Sequence, residues 1–250
     1  ISVRDIILHH PYDSFDIVVN FLKEAVSDPE VSEIFHVVYR AGNKSPIIDS
    51  LKEAAGRGKK VTVYVEVKAR FDEINNLRWI KELRAANVRV IPPFSGYKVH
   101  SKVTQVVKIS GGHSIFYTHL GTGNYHTGTA KQYTDLGLLT CNEEIGREVN
   151  GYFNALATRQ RLPYFRNLLV APANLRNGFL RLIREEIKHH KLRGDGLIIA
   201  KMNSLVDPDI INTLYEASRA GVRVKLLVRG ICCLKPGIKN LSENIKVISI

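Results

Sequence analysis

Ser45-Pro-Ile-Ile-Asp-Ser-Leu-Lys-Glu-Ala-Ala-Gly-Arg-Gly58, followed at once by Lys59-Lys-Val-Thr-Val-Tyr-Val-Glu-Val67, encodes a helix, a stop and a strand in one uninterrupted run. Ser45 suits the cap and Pro46 the first helical position, and Ile47, Ile48, Leu51, Ala54 and Ala55 fall on one face. Gly56 and Gly58 end the helix, and Val61, Val63, Val65 and Val67 alternate as one side of a strand. A shift of 163 positions lays Ile47-Ile48-Asp-Ser-Leu51-Lys-Glu53-Ala54 on Ile210-Ile211-Asn-Thr-Leu214-Tyr-Glu216-Ala217, with Gly58 on Gly221, Val61 on Val224 and Val65 on Val228. That density of matches predicts a duplicated α/β unit. The expected domains are 1–160 and 161–250, divided within Thr158-Arg-Gln-Arg-Leu-Pro163.

Outward from this unit the first half alternates helices and strands. Phe15, Val18, Val19, Leu22 and Val26 trace a helical face entered through Asp13 or Ser14, and Glu33 to Tyr39 reads as a strand. Asp72 is placed to cap a helix carrying Leu77, Ile80 and Leu83, ahead of a strand from Val88 to Ile91. A hairpin is expected from Val99 to Ile109 and Ser114 to Leu120 through Gly111-Gly112, then a strand at Leu136 to Leu139 and a helix from Asn142. The order specifies an α/β fold with mixed sheets flanked by helices.

The chain has 250 residues, 44% of them hydrophobic, enough for a substantial core. Its apolar runs are short, so no transmembrane segment or signal peptide is expected and a cytoplasmic location is; a peripheral place at the inner membrane is the alternative, an acidic membrane surface being one polyanion that a basic chain would meet. Three cysteines without metal-ligand spacing fit a reducing compartment, and Cys232-Cys233 is expected to be buried at a strand end. A formal net charge of +12 calls for a polyanionic partner. Aromatics, at 8%, do not interleave with the basic residues as they do in single-strand binders, so nucleic acid is not the expected one.

His100-Ser-Lys102 and Gly121-Thr-Gly-Asn124 gather an imidazole, an ammonium, backbone amides and a carboxamide, the parts of a phosphohistidine site. Alternation from Lys98 to Ile109 puts His100 and Lys102 on one face of a strand. Arg40 and Arg70 follow the first two strands, at the carboxyl edge where α/β sheets bind ligands, and a guanidinium fork suits phosphate.

Together with Leu8-His-His-Pro-Tyr-Asp-Ser-Phe15, Val65-Glu-Val-Lys-Ala-Arg-Phe-Asp-Glu73, Lys98-Val-His-Ser-Lys102, His119-Leu-Gly-Thr-Gly-Asn-Tyr125, Tyr133-Thr-Asp-Leu-Gly137, Lys201-Met-Asn-Ser-Leu-Val-Asp-Pro208 and Val228-Arg-Gly-Ile-Cys-Cys-Leu234, these motifs resemble the phospholipase D superfamily. Within it the chain resembles the large, histidine-phosphorylating polyphosphate kinases along essentially its whole length. The usual superfamily motif has an Asp at the position of Val107, which weighs against an ordinary phosphodiesterase.

The resemblance implies two phospholipase D-like domains, the second incomplete, and reversible transfer of the ATP γ-phosphate to inorganic polyphosphate through His100. Lys102 and Asn124 are then catalytic partners, and Gly121, Gly123, Tyr133 and Arg229 contact ATP or its phosphates. It associates Mg2+ with Arg40 and Arg70, which as cations would meet the metal through bound phosphates. ATP/ADP and polyphosphate are the expected partners, with a homo-oligomer in the full-length protein. The shift of 163 carries His100 beyond Ile250, so the chain is expected to be a piece of a longer protein that lacks a second active-site histidine and is inactive alone. Two other readings remain: a phospholipase D-like phosphodiesterase or nuclease, and a non-catalytic polyanion-binding module. His189-His190 are expected to ease a helix dipole. His9, His10, His113, His119 and His126 receive no role.

Overall fold

The computed structural model describes residues 4–93 and 98–249 and separates into two compact units, Ile1–Leu168 and Leu169–Ile250. In the first unit the strands are β1 (Ile6–His10), β2 (Val31–Val38), β3 (Lys60–Val65), β4 (Arg89–Ile91), β5 (Val103–Ser110), β6 (His113–Gly121) and β7 (Asp135–Thr140). They form one sheet in the order β1-β7-β6-β5-β2-β3-β4. β2, β3 and β4 run parallel, while β1, β5, β6 and β7 join by antiparallel pairings. Helices α1 (Asp16–Ser27), α2 (Pro46–Gly56), α3 (Glu73–Ala85) and α4 (Glu143–Thr158) complete the unit.

The strand alternation sorts side chains onto two cores. Ile34, Val38, Val61, Val63 and Val65 face one way and pack with Val19, Leu22, Ile48, Leu51 and Leu83 from α1, α2 and α3. Phe35, Val37, Tyr64, Val103 and Val107 face the other way and pack with Val149, Phe153 and Leu156 of α4. Val107, where the superfamily motif has Asp, is therefore a core residue. Phe153 is fully buried and stacks on Phe35 with ring centroids 5.3 Å apart, so Phe153→Ala would cost about 3–5 kcal/mol.

In the second unit β8 (Leu197–Met202), β9 (Arg223–Val228) and β10 (Ile245–Ser249) form a parallel sheet in the order β10-β9-β8, with α5 (Leu175–Arg193) and α6 (Pro208–Arg219). The duplication is visible in its details. α2 and α6 both carry Pro at the start, and Ser45 and Asp207 cap them by accepting from the N–H groups of Ile48 and Ile210. Glu66, just past β3, donates its N–H to Val38 O, and Arg229, just past β9, donates its own to Met202 O.

Several expectations are corrected. Phe15, not Asp13 or Ser14, is the cap residue of α1 and gives no side-chain bond. Asp72 stands at the cap of α3 without a side-chain capping bond, because its carboxylate is engaged by Arg40. β1 was not foreseen. Cys233 is exposed and Cys232 half-buried, since Cys232 makes only an isolated bridge to Leu205 rather than entering a strand. The β5–β6 hairpin turns at Gly111-Gly112, both at positive φ (58° and 79°), which a two-residue hairpin requires and glycine supplies without strain.

Candidate active site

Parallel pairing of β2 with β3 brings Tyr39 and Arg40 beside Glu66 at the carboxyl edge of the sheet. The chain returns to this edge at residues 98–102, and here the sequence reading needs correction. His100 and Lys102 are not in a strand, because β5 begins only at Val103. The N–H of Val99 turns instead to the carboxylate of Glu66, 2.7 Å away, while the Val99 side chain enters the α4-side core.

The two side chains nevertheless meet. Lys102 is 6% exposed, and its Nζ lies 3.0 Å from His100 Nδ1, 3.2 Å from Nε2 and 2.6 Å from the His100 carbonyl. The His100 ring, which keeps part of its surface exposed, also packs edge to face with Tyr39, with centroids 4.5 Å apart. Tyr39 is itself buried and draws three cations around its ring: Lys102 Nζ at 4.7 Å, Lys98 Nζ at 5.6 Å and the Arg40 guanidinium at 5.7 Å. Burial, then the charges of Lys102, Lys98 and Arg40, lower the His100 pKa to about 4. Burial also lowers Lys102, to about 8, aided by Arg40 and opposed by Asp135. At neutral pH the lowered pKa leaves the imidazole uncharged, so that one ring nitrogen carries a lone pair, and the ammonium beside it remains mostly protonated.

The hairpin carries the second motif to the same place. Gly121 donates its N–H to Lys102 O at 2.9 Å, one step beyond the Val103–Leu120 pair. Asp135, on β7, holds the Gly121–Asn124 loop: Thr122 Oγ1 donates to its Oδ1 at 2.7 Å, and a Cβ on Gly123 would stand 2.6 Å from its Oδ2. Beneath the loop lies a small cavity lined by His10, Phe15, His119, Asn124 and Asp135, just large enough for about one water-sized body. His119 Nε2 and Asn124 Oδ1 are buried without a partner among the described residues. The other nitrogen of His119 meets Tyr125 Oη at 2.7 Å, and buried His36 meets Thr104 Oγ1 at 2.7 Å through Nδ1. Burial first, with a nearby imidazole second, lowers both histidines to about 3.

Arg40 projects toward this centre, held by an ion pair with Asp72 (Nε–Oδ2 3.0 Å) and by donating Nη2–H to the carbonyl of Arg70 at 2.8 Å. Arg70 is exposed, and the carboxylate of Asp72 goes to Arg40 rather than to it. Tyr133 is 47% exposed in the turn before Asp135. Arg229 is exposed in the second unit, at the end of β9. Arg40 and Arg70 do not fit direct ligation of Mg2+, since guanidinium groups only donate, and no cluster of three or more His, Cys, Asp or Glu suits a metal among the described residues. Their chemistry fits phosphate oxygens.

Tyr39, Glu66 and Asp135 escaped the sequence reading of the site. Tyr39 and Glu66 are strand-end residues indistinguishable from framework in a single sequence. Asp135 sits within a quoted motif, and a carboxylate two residues past Tyr133 was the available signal. His189 stands near Glu186 and Asp195, whereas His190 accepts the N–H of Gly196 at 3.0 Å and so closes the turn after α5.

The description "Polyphosphate kinase C-terminal domain 1" matches residues 1–162, and "Polyphosphate kinase C-terminal domain 2" matches residues 168–250. The chain is 53% identical over 247 residues to a polyphosphate kinase of Halalkalibacterium halodurans, covering 99% of this chain and 35% of that protein. The Bacillus cereus polyphosphate kinase is 52% identical with the same coverage. The crystal structure of polyphosphate kinase from Porphyromonas gingivalis superposes with a TM-score of 0.87 at 41% identity, over 100% of this chain and 42% of that one. The chain thus spans about a third of the length of the curated relatives it matches.

Proposed function

The chain belongs to the polyphosphate kinase family, and from that premise we propose that it carries the phosphoryl-accepting centre of an ATP:polyphosphate phosphotransferase. One observation carries the reading: an uncharged, exposed imidazole at His100 in contact with the buried ammonium of Lys102. A ring nitrogen of His100 attacks the γ-phosphorus of ATP, the bond to the bridging oxygen breaks, and ADP leaves with that oxygen's electrons. Return of the phosphoryl group from the imidazole to a terminal phosphate oxygen of polyphosphate completes the cycle, and each step is reversible.

Phosphoryl transfer asks chiefly for position and charge. In the resting site the Lys102 ammonium donates to the imidazole; when phosphates enter it turns to their non-bridging oxygens, freeing the attacking lone pair. The N–H groups of Gly121 and Thr122 are spent on Lys102 O and Leu136 O, so the amide of Gly123 and the carboxamide of Asn124 donate from the loop, Gly121 serving to bring it close, and Arg40 and Arg70 grip oxygens farther along the polyanion. Mg2+ enters with those phosphates. Tyr133 and Arg229 are proposed ATP contacts, and the complete protein is proposed to be a homo-oligomer. Among the described residues no helix is long and apolar enough to cross a membrane, and a cytoplasmic site, peripheral to the inner membrane, completes the proposal.

The test is labelling of the complete protein with γ-phosphate-labelled ATP. Acid-labile, base-stable label on His100 that is lost in His100→Ala is the expected result. Label persisting in that variant, or turnover of phosphodiesters without ATP consumption, would refute the reading.

A further inference from the structure

We propose that Glu66 is a positioning residue that fixes the His100 imidazole by clamping the backbone one residue before it. This rests on the phosphohistidine reading above. Glu66 is 1% exposed, and its donors among the described residues are neutral: Val99 N–H at 2.7 Å and Tyr64 Oη at 3.4 Å to Oε2, and Lys68 N–H at 2.9 Å to Oε1. Burying a polar group is costly unless its hydrogen bonds are made, so a carboxyl group sealed here is held by these bonds and in turn holds the segments that make them.

The clamp's role lies in what it spans. His100 stands outside the ladder, since β5 starts at Val103, and strand pairing therefore does not hold its backbone. The Glu66 bond to Val99 replaces it from one side, and Lys102 Nζ on the His100 carbonyl holds the other. Asn76, fully buried, locks the base of the clamp by donating Nδ2–H to Tyr39 O at 2.9 Å and to Glu66 O at 2.8 Å. One carboxylate and one carboxamide thus tie the ends of β2 and β3 to the histidine segment, and the Tyr39 ring that packs on His100 belongs to the same tie.

The duplication gives an internal contrast. Arg229 occupies the Glu66 position of the second unit, with the matching backbone bond, yet its side chain is exposed. The backbone bond that the two units share therefore goes with an exposed guanidinium in one and a buried carboxyl group in the other, so it does not by itself fix the side chain at this position.

Glu66→Gln in the complete protein tests the proposal. Val99 and Lys68 bond different oxygens of Glu66, so the amide keeps the volume but turns an NH2 donor on one of the two N–H groups and loses that bond. Because a misplacement of about 1 Å costs up to ~100-fold in rate, single-turnover labelling of His100 should slow by ~10- to 100-fold. Half-saturation by ATP should change by less than about 3-fold, since ATP binding is not what Glu66 serves. Ile48→Val, in the α2 core, supplies a mildly destabilised control that should label at the wild-type rate. A wild-type rate in Glu66→Gln would overturn the proposal, and so would equal slowing in both variants, which would mark a merely structural role. If the wild type itself takes no label, the phosphohistidine reading fails by itself. The imidazole 15N resonances of His100 then decide: movement or broadening in Glu66→Gln supports the clamp, and unchanged resonances overturn it.

Discussion

Acidification from pH 7 to pH 5 should strip about 4 kcal/mol from the first unit through two buried imidazoles. His36 is fully buried and His119 is 3% exposed, and burial holds both near a pKa of 3, against 6.5 for a free side chain. The unfolded chain takes up protons at these residues below pH 6.5, whereas the folded chain resists until far lower. Their contribution to stability is therefore intact above pH 6.5 and drains as pH falls toward 3. Each pH unit in that window is worth about 1.4 kcal/mol per residue, so at pH 5 each has lost about 2 kcal/mol. Against a total of roughly 5–15 kcal/mol for a domain, the loss is large. Trp79 is the only tryptophan in the chain and is buried in the α3-side core, so its fluorescence in urea titrations reports the first unit. A stability at pH 5 within about 1 kcal/mol of that at pH 7, or NMR titration midpoints of His36 and His119 near 6, would refute the reasoning.

Lys102→Met should reduce labelling of His100 by ~100-fold or more, as loss of a preorganised charge does, with little loss of melting temperature because a buried cation is replaced by a similar apolar volume. In the wild type, kcat/KM for the first step should hold level from about pH 5 to 7.5, since His100 is deprotonated above about 4. It should then fall above about pH 8 as Lys102 loses its proton; a fall on the acid side centred near 6.5 would contradict the site electrostatics. Gly123→Ala puts a Cβ 2.6 Å from Asp135 Oδ2 and should displace the loop, costing about 1–3 kcal/mol in urea titrations and weakening phosphate binding; Gly121→Ala, with a 3.2 Å contact, should be milder. Mg2+ alone should leave the melting temperature unchanged while Mg2+ with ATP raises it, and stabilisation by the metal alone would disprove its arrival through phosphates.

The framework was largely readable because its signals are local. The caps at Ser45 and Asn142, the glycine turn at 111–112 and the valine alternation of β3 each sit within one element, and each appears in the structure. β1 escaped because its five residues, with only Leu8 and His10 buried, offer two inward positions, too few for a period to register. The strand predicted at His100 failed for a tertiary reason: the alternation is real, but Glu66, 33 residues earlier, captures Val99 N–H before the ladder can extend to it. Tyr39, Glu66 and Asp135 share that character. Their importance comes from which segments the sheet brings together, and a single sequence does not list those meetings.

The turn at Gly111-Gly112 also offers a practical handle. Eight residues of β5 separate it from Lys102, roughly 25 Å of extended chain, and among the described residues nothing lies within 4 Å of a Cβ built on either glycine. A fluorophore or short tag spliced between the two glycines would ride at the remote tip of the same ribbon whose base adjoins Lys102 and the proposed phosphoryl-accepting centre. Such an insertion would give a reporter mechanically continuous with the centre and chemically silent toward it.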